Sequence, residues 1–172
     1  AACFGSLIPK IRALLIKPPE RMKDNPYRED REQLKELLLQ YENLKNGRQH
    51  SFIEEDSFEK IIDYFHEKED LVKAMEAAEI GAEQFPYSAM LLIKKADILL
   101  ATRRYQEALD ILEQASLFDN NDINIYILKT DAYLALDQQE RAVQLLEESL
   151  TQFEGEEKLE LLFELADVYD DY

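Results

Sequence analysis

Large apolar side chains recur at helical spacing along most of the chain, and polar residues fill the positions between them. From Tyr27 to Lys45, four leucines and Tyr41 share one face of a helix, and Asn46-Gly47 follows as a stop signal. Four of the five prolines precede residue 27, so only Pro86 remains in the rest of the chain. Because proline breaks helices, residues 27–172 are predicted to be almost entirely helical.

The same local pattern begins three times, at intervals of 34 residues. Ala74, Ala108 and Ala142 mark its position, and polar turns precede each of these alanines. Large apolar residues stand nine and sixteen positions before each alanine, on one face of the preceding helix. These pairs are Phe58 and Phe65, Leu92 and Leu99, and Tyr126 and Tyr133. Each unit is therefore predicted to be a helix, a short turn and a second helix.

In this pattern the chain resembles the tetratricopeptide repeat family over about residues 55–172. The resemblance implies an all-α right-handed α–α superhelix, a solenoid of helical hairpins, preceded by one amphipathic helix. Ile62 and Thr130 stand where the family prefers Gly or Ala, and Lys95 and Lys129 replace a usual leucine. The shared period therefore carries the assignment. The predicted segments are a head of residues 1–26, a helix and linker of residues 27–54, units at 55–88, 89–122 and 123–158, and a half repeat at 159–172.

The final helix carries apolar residues around much of its surface, whereas the end of a solenoid needs a polar outer face. The chain also stops before the second helix that the family would supply. We therefore expect either a fragment of a longer array or an end that self-associates.

Charge separates a basic head from an acidic body. The chain has 20 Lys and Arg against 37 Asp and Glu, a net charge of −17. Residues 1–23 hold five basic residues and one acidic residue, so the remainder carries −21. This body disfavours phosphate backbones and anionic bilayers, so we expect no nucleic acid partner and no membrane partner. The head could be a processed leader, an appended expression sequence or an extended gene start.

Residues suited to catalysis or cofactor binding are scarce. The chain has two histidines, four glycines and one cysteine, Cys3, which cannot form an internal disulfide. In the segment from His66 to Asp70 the second histidine of a zinc-protease helix is missing, so His66 is predicted to be an exposed residue at a helix end. The predictions are therefore no catalytic residues, no metal, no cofactor and a reducing cytoplasm.

The family resemblance places the first helix of each unit on the concave side of the array. One aspartate recurs at the equivalent place in all four units, beside aliphatic residues. Such a row could bind Lys or Arg of a peptide while the aliphatic groups bury its apolar side chains. The predicted partner-binding groove consists of Asp63, Ile93, Asp97, Leu100, Ile127, Asp131, Leu134, Phe163 and Asp167.

The predicted function is thus a non-catalytic protein–protein interaction scaffold that binds a basic, apolar peptide or protein segment. Three alternatives stay open. The aspartates could be structural or solubilising, the array could self-assemble through its terminal helix, or it could select substrates for a larger enzyme.

Overall fold

The computed structural model describes residues 26–47 and 52–171, and all regular structure in these ranges is α-helical. Residues 1–25 of the head predicted at residues 1–26 lie outside the described residues. No helix in the described ranges is long and apolar enough to cross a membrane. The helices are α1 (Pro26–Lys45), α2 (Glu55–Glu67), α3 (Leu71–Gln84), α4 (Ala89–Ala101), α5 (Tyr105–Phe118), α6 (Ile123–Ala135), α7 (Gln139–Ser149) and α8 (Gly155–Asp171).

The chain divides into two compact units, residues 1–39 and residues 40–172, and α1 spans the division. In the first unit, Leu39 is exposed. In the second unit, Tyr41 is fully buried, and its ring lies 6.5 Å from Phe58 and 6.2 Å from Phe65. The amphipathic helix predicted from residue 27 therefore places one aromatic side chain in the core of the second unit.

Helices α2 to α7 form three successive hairpins, each of two helices. Neighbouring hairpins pack together, and the first helices α2, α4, α6 and α8 also contact one another in order. The apolar face of each hairpin is thus covered by the next hairpin, as a solenoid requires. This arrangement confirms the predicted all-α array of helical hairpins.

The turn inside each hairpin has the same backbone geometry three times. Glu69, Arg103 and Asp137 lie 34 residues apart and have φ angles of 57°, 63° and 59°. In the first turn the Asp70 amide donates a hydrogen bond to the Phe65 carbonyl at 2.9 Å, and the other two turns contain the equivalent bond. This is the Schellman arrangement that satisfies carbonyls at a helix end. The backbone therefore repeats with the period that the side chains predicted.

Small residues permit close packing of the helices at the repeated positions. Ala74, Ala108 and Ala142 are fully buried. Gly81 of α3 is also buried, and a Cβ atom there would lie 3.1 Å from Cγ of Phe58. Such a distance is tighter than ordinary van der Waals contact, so any side chain at position 81 requires the Phe58 ring to shift.

Two residues that depart from the family pattern find polar partners inside the array. The hydroxyl of buried Thr130 donates to the carbonyl of Tyr126 at 2.9 Å. The ammonium of Lys129 lies 3.2 Å from a carboxylate oxygen of Glu113, at the surface of the neighbouring helix. A buried polar group is tolerated when it is hydrogen-bonded or paired, which explains how α6 accepts both residues.

Candidate functional site

The first helices α2, α4 and α6 line a cavity of about 320 Å³, which we call the first-helix groove. Its walls alternate between charged and apolar side chains, because each helix presents residues one turn apart to the same surface. The lining residues are Glu59, Met90, Ile93, Lys94, Asp97, Asp122, Asn124 and Leu128. The groove can therefore accommodate an extended segment with both charged and apolar groups.

At the α2 side of the groove, one lysine neutralises two carboxylates. The Lys94 ammonium donates to Asp63 at 2.7 Å and lies 3.5 Å from Glu59. Burial lowers the pKa of Lys94, but the hydrogen bond to Asp63 and the charges of both carboxylates outweigh it, so the pKa is raised. The predicted groove residue Asp63 is thus already engaged within the protein, and so is the cation that faces it.

Towards α8 the charge is negative. Four carboxylates, which we call the acidic cluster, lie on three consecutive first helices: Asp97 on α4, Asp131 on α6, and Glu164 and Asp167 on α8. The Asp131 side chain is solvent-exposed, but the packing of neighbouring helices removes part of the water around its carboxylate and raises its pKa, and the charge of Asp97 adds to this rise. Burial likewise raises the pKa of Glu164, together with the charges of Asp131 and Asp167. The cluster therefore favours any cation that reaches it.

A histidine borders the acidic cluster. His66, at the end of α2, is partly buried, and its Nδ1 lies 3.5 Å from a carboxylate oxygen of Asp97. The helix-end position agrees with the sequence prediction, but the side chain is not simply exposed. In the described ranges, no group of three or more His, Cys, Asp or Glu residues is arranged to hold a metal ion.

The predicted apolar row is distributed between the groove, the core and the open surface. Ile93 lines the groove while packing into the core. Leu100 packs on the core of the second hairpin, and Ile127 and Leu134 pack on the core that contains Leu146 and Phe153. Phe163 of α8 is 71% exposed. The apolar surface that actually lines the cavity thus comes mainly from residues outside the prediction.

The lining residues absent from the predicted groove are Glu59, Met90, Lys94, Asp122, Asn124 and Leu128. Glu164 of the acidic cluster was also absent from the prediction. Positions 90, 94 and 97 lie on one helical face, and positions 124, 128 and 131 occupy the equivalent face one unit later. The predicted groove was instead centred on positions 93 and 127. Met90 lies seven residues before Asp97, and Asn124 and Leu128 lie seven and three residues before Asp131. A search for side chains at these two spacings before each aspartate would have found all three.

Stability is expected to increase as the pH falls from neutrality towards the ordinary carboxyl range. A carboxyl whose folded-state pKa is raised, as for Asp131 and Glu164, adds stability below its unfolded pKa and loses it as the pH rises through the folded value. Asp70 and Glu107 act oppositely, because hydrogen bonds from basic neighbours lower their pKa values. Their contribution is present above the ordinary carboxyl range of about 4 and is lost as the pH falls below that range, through the lowered pKa values.

The variant that tests this pH dependence replaces Asp131 with Asn and Glu164 with Gln. We expect its Tm at pH 7 to be higher by about 1–2 °C and its Tm to vary less as the pH falls towards the ordinary carboxyl range, because the desolvated charges and the like-charge repulsion between them are both gone. Thermal melts followed by circular dichroism at low salt measure both quantities. Asp110→Asn, an exposed change on α5, should leave the pH slope unaltered. An unchanged slope in the double variant would contradict the assignment.

Solved structures with this arrangement of helices are tetratricopeptide repeat domains. The TPR2B domain of yeast Sti1 in its complex with pHsp70 matches with a TM-score of 0.62 and 19% identity, covering 69% of this chain and 98% of that domain. The second TPR domain of human RPAP3, in complex with the HSP70 peptide SGPTIEEVD, matches with a TM-score of 0.56 and 20% identity over 65% of this chain and 92% of that one.

The MamA protein matches with a TM-score of 0.55 and 18% identity over 68% of this chain and 63% of that one. No protein-family model matches the chain, and no curated protein matches it. The identities are low, so the likeness concerns the fold. Residues 55–171 have the fold of a tetratricopeptide repeat array, as the sequence predicted.

Proposed function

We propose that this chain is a non-catalytic protein-interaction scaffold whose first-helix groove binds a segment rich in basic and apolar residues. The observation that carries the proposal is the acidic cluster, in which burial and like charges raise the pKa values of Asp131 and Glu164. The groove places Ile93 and Leu128 in the same lining as Asp97, which belongs to this cluster. A Lys or Arg side chain would relieve the repulsion while a neighbouring apolar side chain contacts the aliphatic wall.

The charge of this groove does not suit the peptide in the complex of one structural neighbour. The peptide SGPTIEEVD of the human RPAP3 complex is acidic at its C-terminal end. A groove for such a ligand needs free cations, whereas Lys94 is already engaged by Asp63 and Glu59. We therefore propose that the first-helix groove of this chain binds a ligand of the opposite charge.

Peptide binding tests the proposal. Two ten-residue peptides that alternate Leu with Lys, or Leu with Glu, are titrated against the full chain by calorimetry at pH 7. We expect the Lys peptide to bind and the Glu peptide not to bind, with affinity that falls as salt screens the charges. The Asp97→Asn/Asp131→Asn variant should bind the Lys peptide about 10-fold more weakly, because two charge-assisted contacts are lost.

The control has the same change in charge away from the groove. Asp110→Asn/Glu140→Gln alters two exposed residues of the second helices α5 and α7 and should leave the affinity within about 2-fold of the wild type, because distant surface charges are screened. Equal weakening in both variants would mean that net charge alone attracts the peptide. Preference for the Glu peptide would overturn the proposed ligand class.

A second candidate is self-assembly through α8, supported by its exposed apolar residues. Leu159, Leu162, Phe163 and Tyr169 are all open to solvent. An exposed face of this kind favours contact with another apolar surface. Sedimentation over a wide concentration range separates the candidates, since a mass that rises with concentration, together with no peptide binding, would favour assembly.

A further inference from the structure

A second cavity lies at the turns between the hairpins, where the chain passes from α3 to α4 and from α5 to α6. It has a volume of about 590 Å³, and we call it the edge pocket. Pro86, Tyr87 and Phe118 form much of its apolar wall, and Glu55 and Asp119 contribute carboxylates. The pocket therefore combines aromatic surface with negative charge, outside the acidic cluster.

Two aromatic residues of the edge pocket are exposed although the fold can bury such residues. Tyr87 is 78% exposed and Phe118 is 40% exposed, and their rings meet edge to face with centroids 5.5 Å apart. At the following turn, Phe153 is only 6% exposed and packs against Tyr126 at 5.3 Å. Tyr87 and Phe118 thus contribute little to the core. Packing of the fold therefore does not account for two aromatic residues at this place on the surface.

The two carboxylates keep acceptor capacity for a ligand. Glu55 accepts a hydrogen bond from the Ser88 hydroxyl, and Asp119 accepts one from the Asn121 amide at 2.9 Å. Each bond uses one of the several lone pairs of a carboxylate. Both residues are acidic in a body of strongly negative charge, so the complementary ligand is a cation.

We infer that the edge pocket binds an arginine side chain from the protein segment that occupies the groove. A guanidinium is planar, stacks on aromatic rings and donates several hydrogen bonds to carboxylates, whereas an ammonium lacks the planar face. Met90 lines both the edge pocket and the first-helix groove, so one ligand can reach both. The link to that ligand rests on the proposed function, while the arginine site itself does not.

The test adds one arginine to either end of the Lys and Leu peptide and compares it with citrulline, a neutral analogue of the same shape. With the wild-type chain, citrulline should lower the affinity about 3-fold to 10-fold at the end that reaches the pocket. In Tyr87→Ala and in Asp119→Asn, the difference between arginine and citrulline should shrink to less than about 2-fold, because one side of the site is gone. Leu117→Ala changes an exposed neighbour outside the pocket and should preserve the difference.

A second measurement uses N-acetylarginine amide alone and the ¹³C-methyl signals of methionine. The Met90 methyl should shift on titration, the Met75 methyl in the core should not, and N-acetylcitrulline amide should shift neither. A Met90 shift that Tyr87→Ala abolishes supports the arginine site even when no peptide binds the groove. If citrulline and arginine peptides bind equally and the amide shifts nothing, the edge-pocket inference is overturned, while sensitivity to Asp97→Asn/Asp131→Asn would still support the groove.

Discussion

Replacing Phe58 with alanine is expected to lower the free energy of unfolding by about 3–5 kcal/mol. The side chain is fully buried where four segments meet, and its ring lies 6.5 Å from that of Tyr41 and 6.3 Å from that of Phe85. The backbone of Gly81 also packs directly against the ring. Truncation removes transfer free energy and leaves a cavity that rigid helices fill only in part. Urea unfolding followed by circular dichroism measures the loss.

Phe52 supplies the matched control for this prediction. Its ring also contacts Phe85, at 5.9 Å, but the side chain is 73% exposed. Phe52→Ala should therefore cost less than about 1 kcal/mol, because little surface is returned to water. If the two variants lose similar stability, burial at position 58 does not anchor the first hairpin in the way the contacts imply.

The hairpin array was predictable because its determinants are local and repeated. Ala74, Ala108 and Ala142 mark places where two helices cross closely, and only a small residue fits there in each unit. The left-handed residues Glu69 and Arg103 follow the same period, since each ends the first helix of its hairpin. Three repetitions of one weak pattern make a strong prediction, even where a single unit departs from it.

The chemistry of the groove was harder to predict because it depends on contacts between units. The pairing of Lys94 with Asp63 joins residues 31 positions apart on neighbouring first helices. The coupling of Asp131 with Glu164 likewise crosses from α6 to α8. The rotation of each helix about its axis decides which side chains meet, and core packing sets that rotation. The 34-residue period identified equivalent positions without revealing which of them face the groove.

The acidic cluster therefore depends on the stacking of hairpins as well as on its own residues. Asp97, Asp131 and Asp167 belong to three successive units, so their spacing follows from the unit-to-unit packing. A change that loosens one hairpin should weaken ligand binding without touching the groove. Variants that disturb the core thus need a stability measurement beside every binding measurement.

Replacing Gly81 with leucine is expected to lower the free energy of unfolding by about 3 kcal/mol, through overpacking of the α2–α3 crossing. A Cβ atom alone would lie 3.1 Å from Cγ of Phe58 and 3.3 Å from Cδ1 of Leu91. Gly81→Ala should be much closer to neutral, because the gain of about 1 kcal/mol in helix propensity offsets part of the crowding. Urea unfolding of both variants measures the difference.

The Phe58→Ala/Gly81→Leu double variant tests whether these two residues compete for one space. The cavity left by Phe58 can receive the leucine, so the double variant should be more stable than the sum of the single losses by about 1–3 kcal/mol. Leu146→Ala on α7, two hairpins further along, should instead combine with Gly81→Leu additively. Additivity in both pairs would mean that the strain at position 81 is relieved by backbone displacement rather than held against the Phe58 ring. In that case the close approach of α2 and α3 would not depend on the glycine.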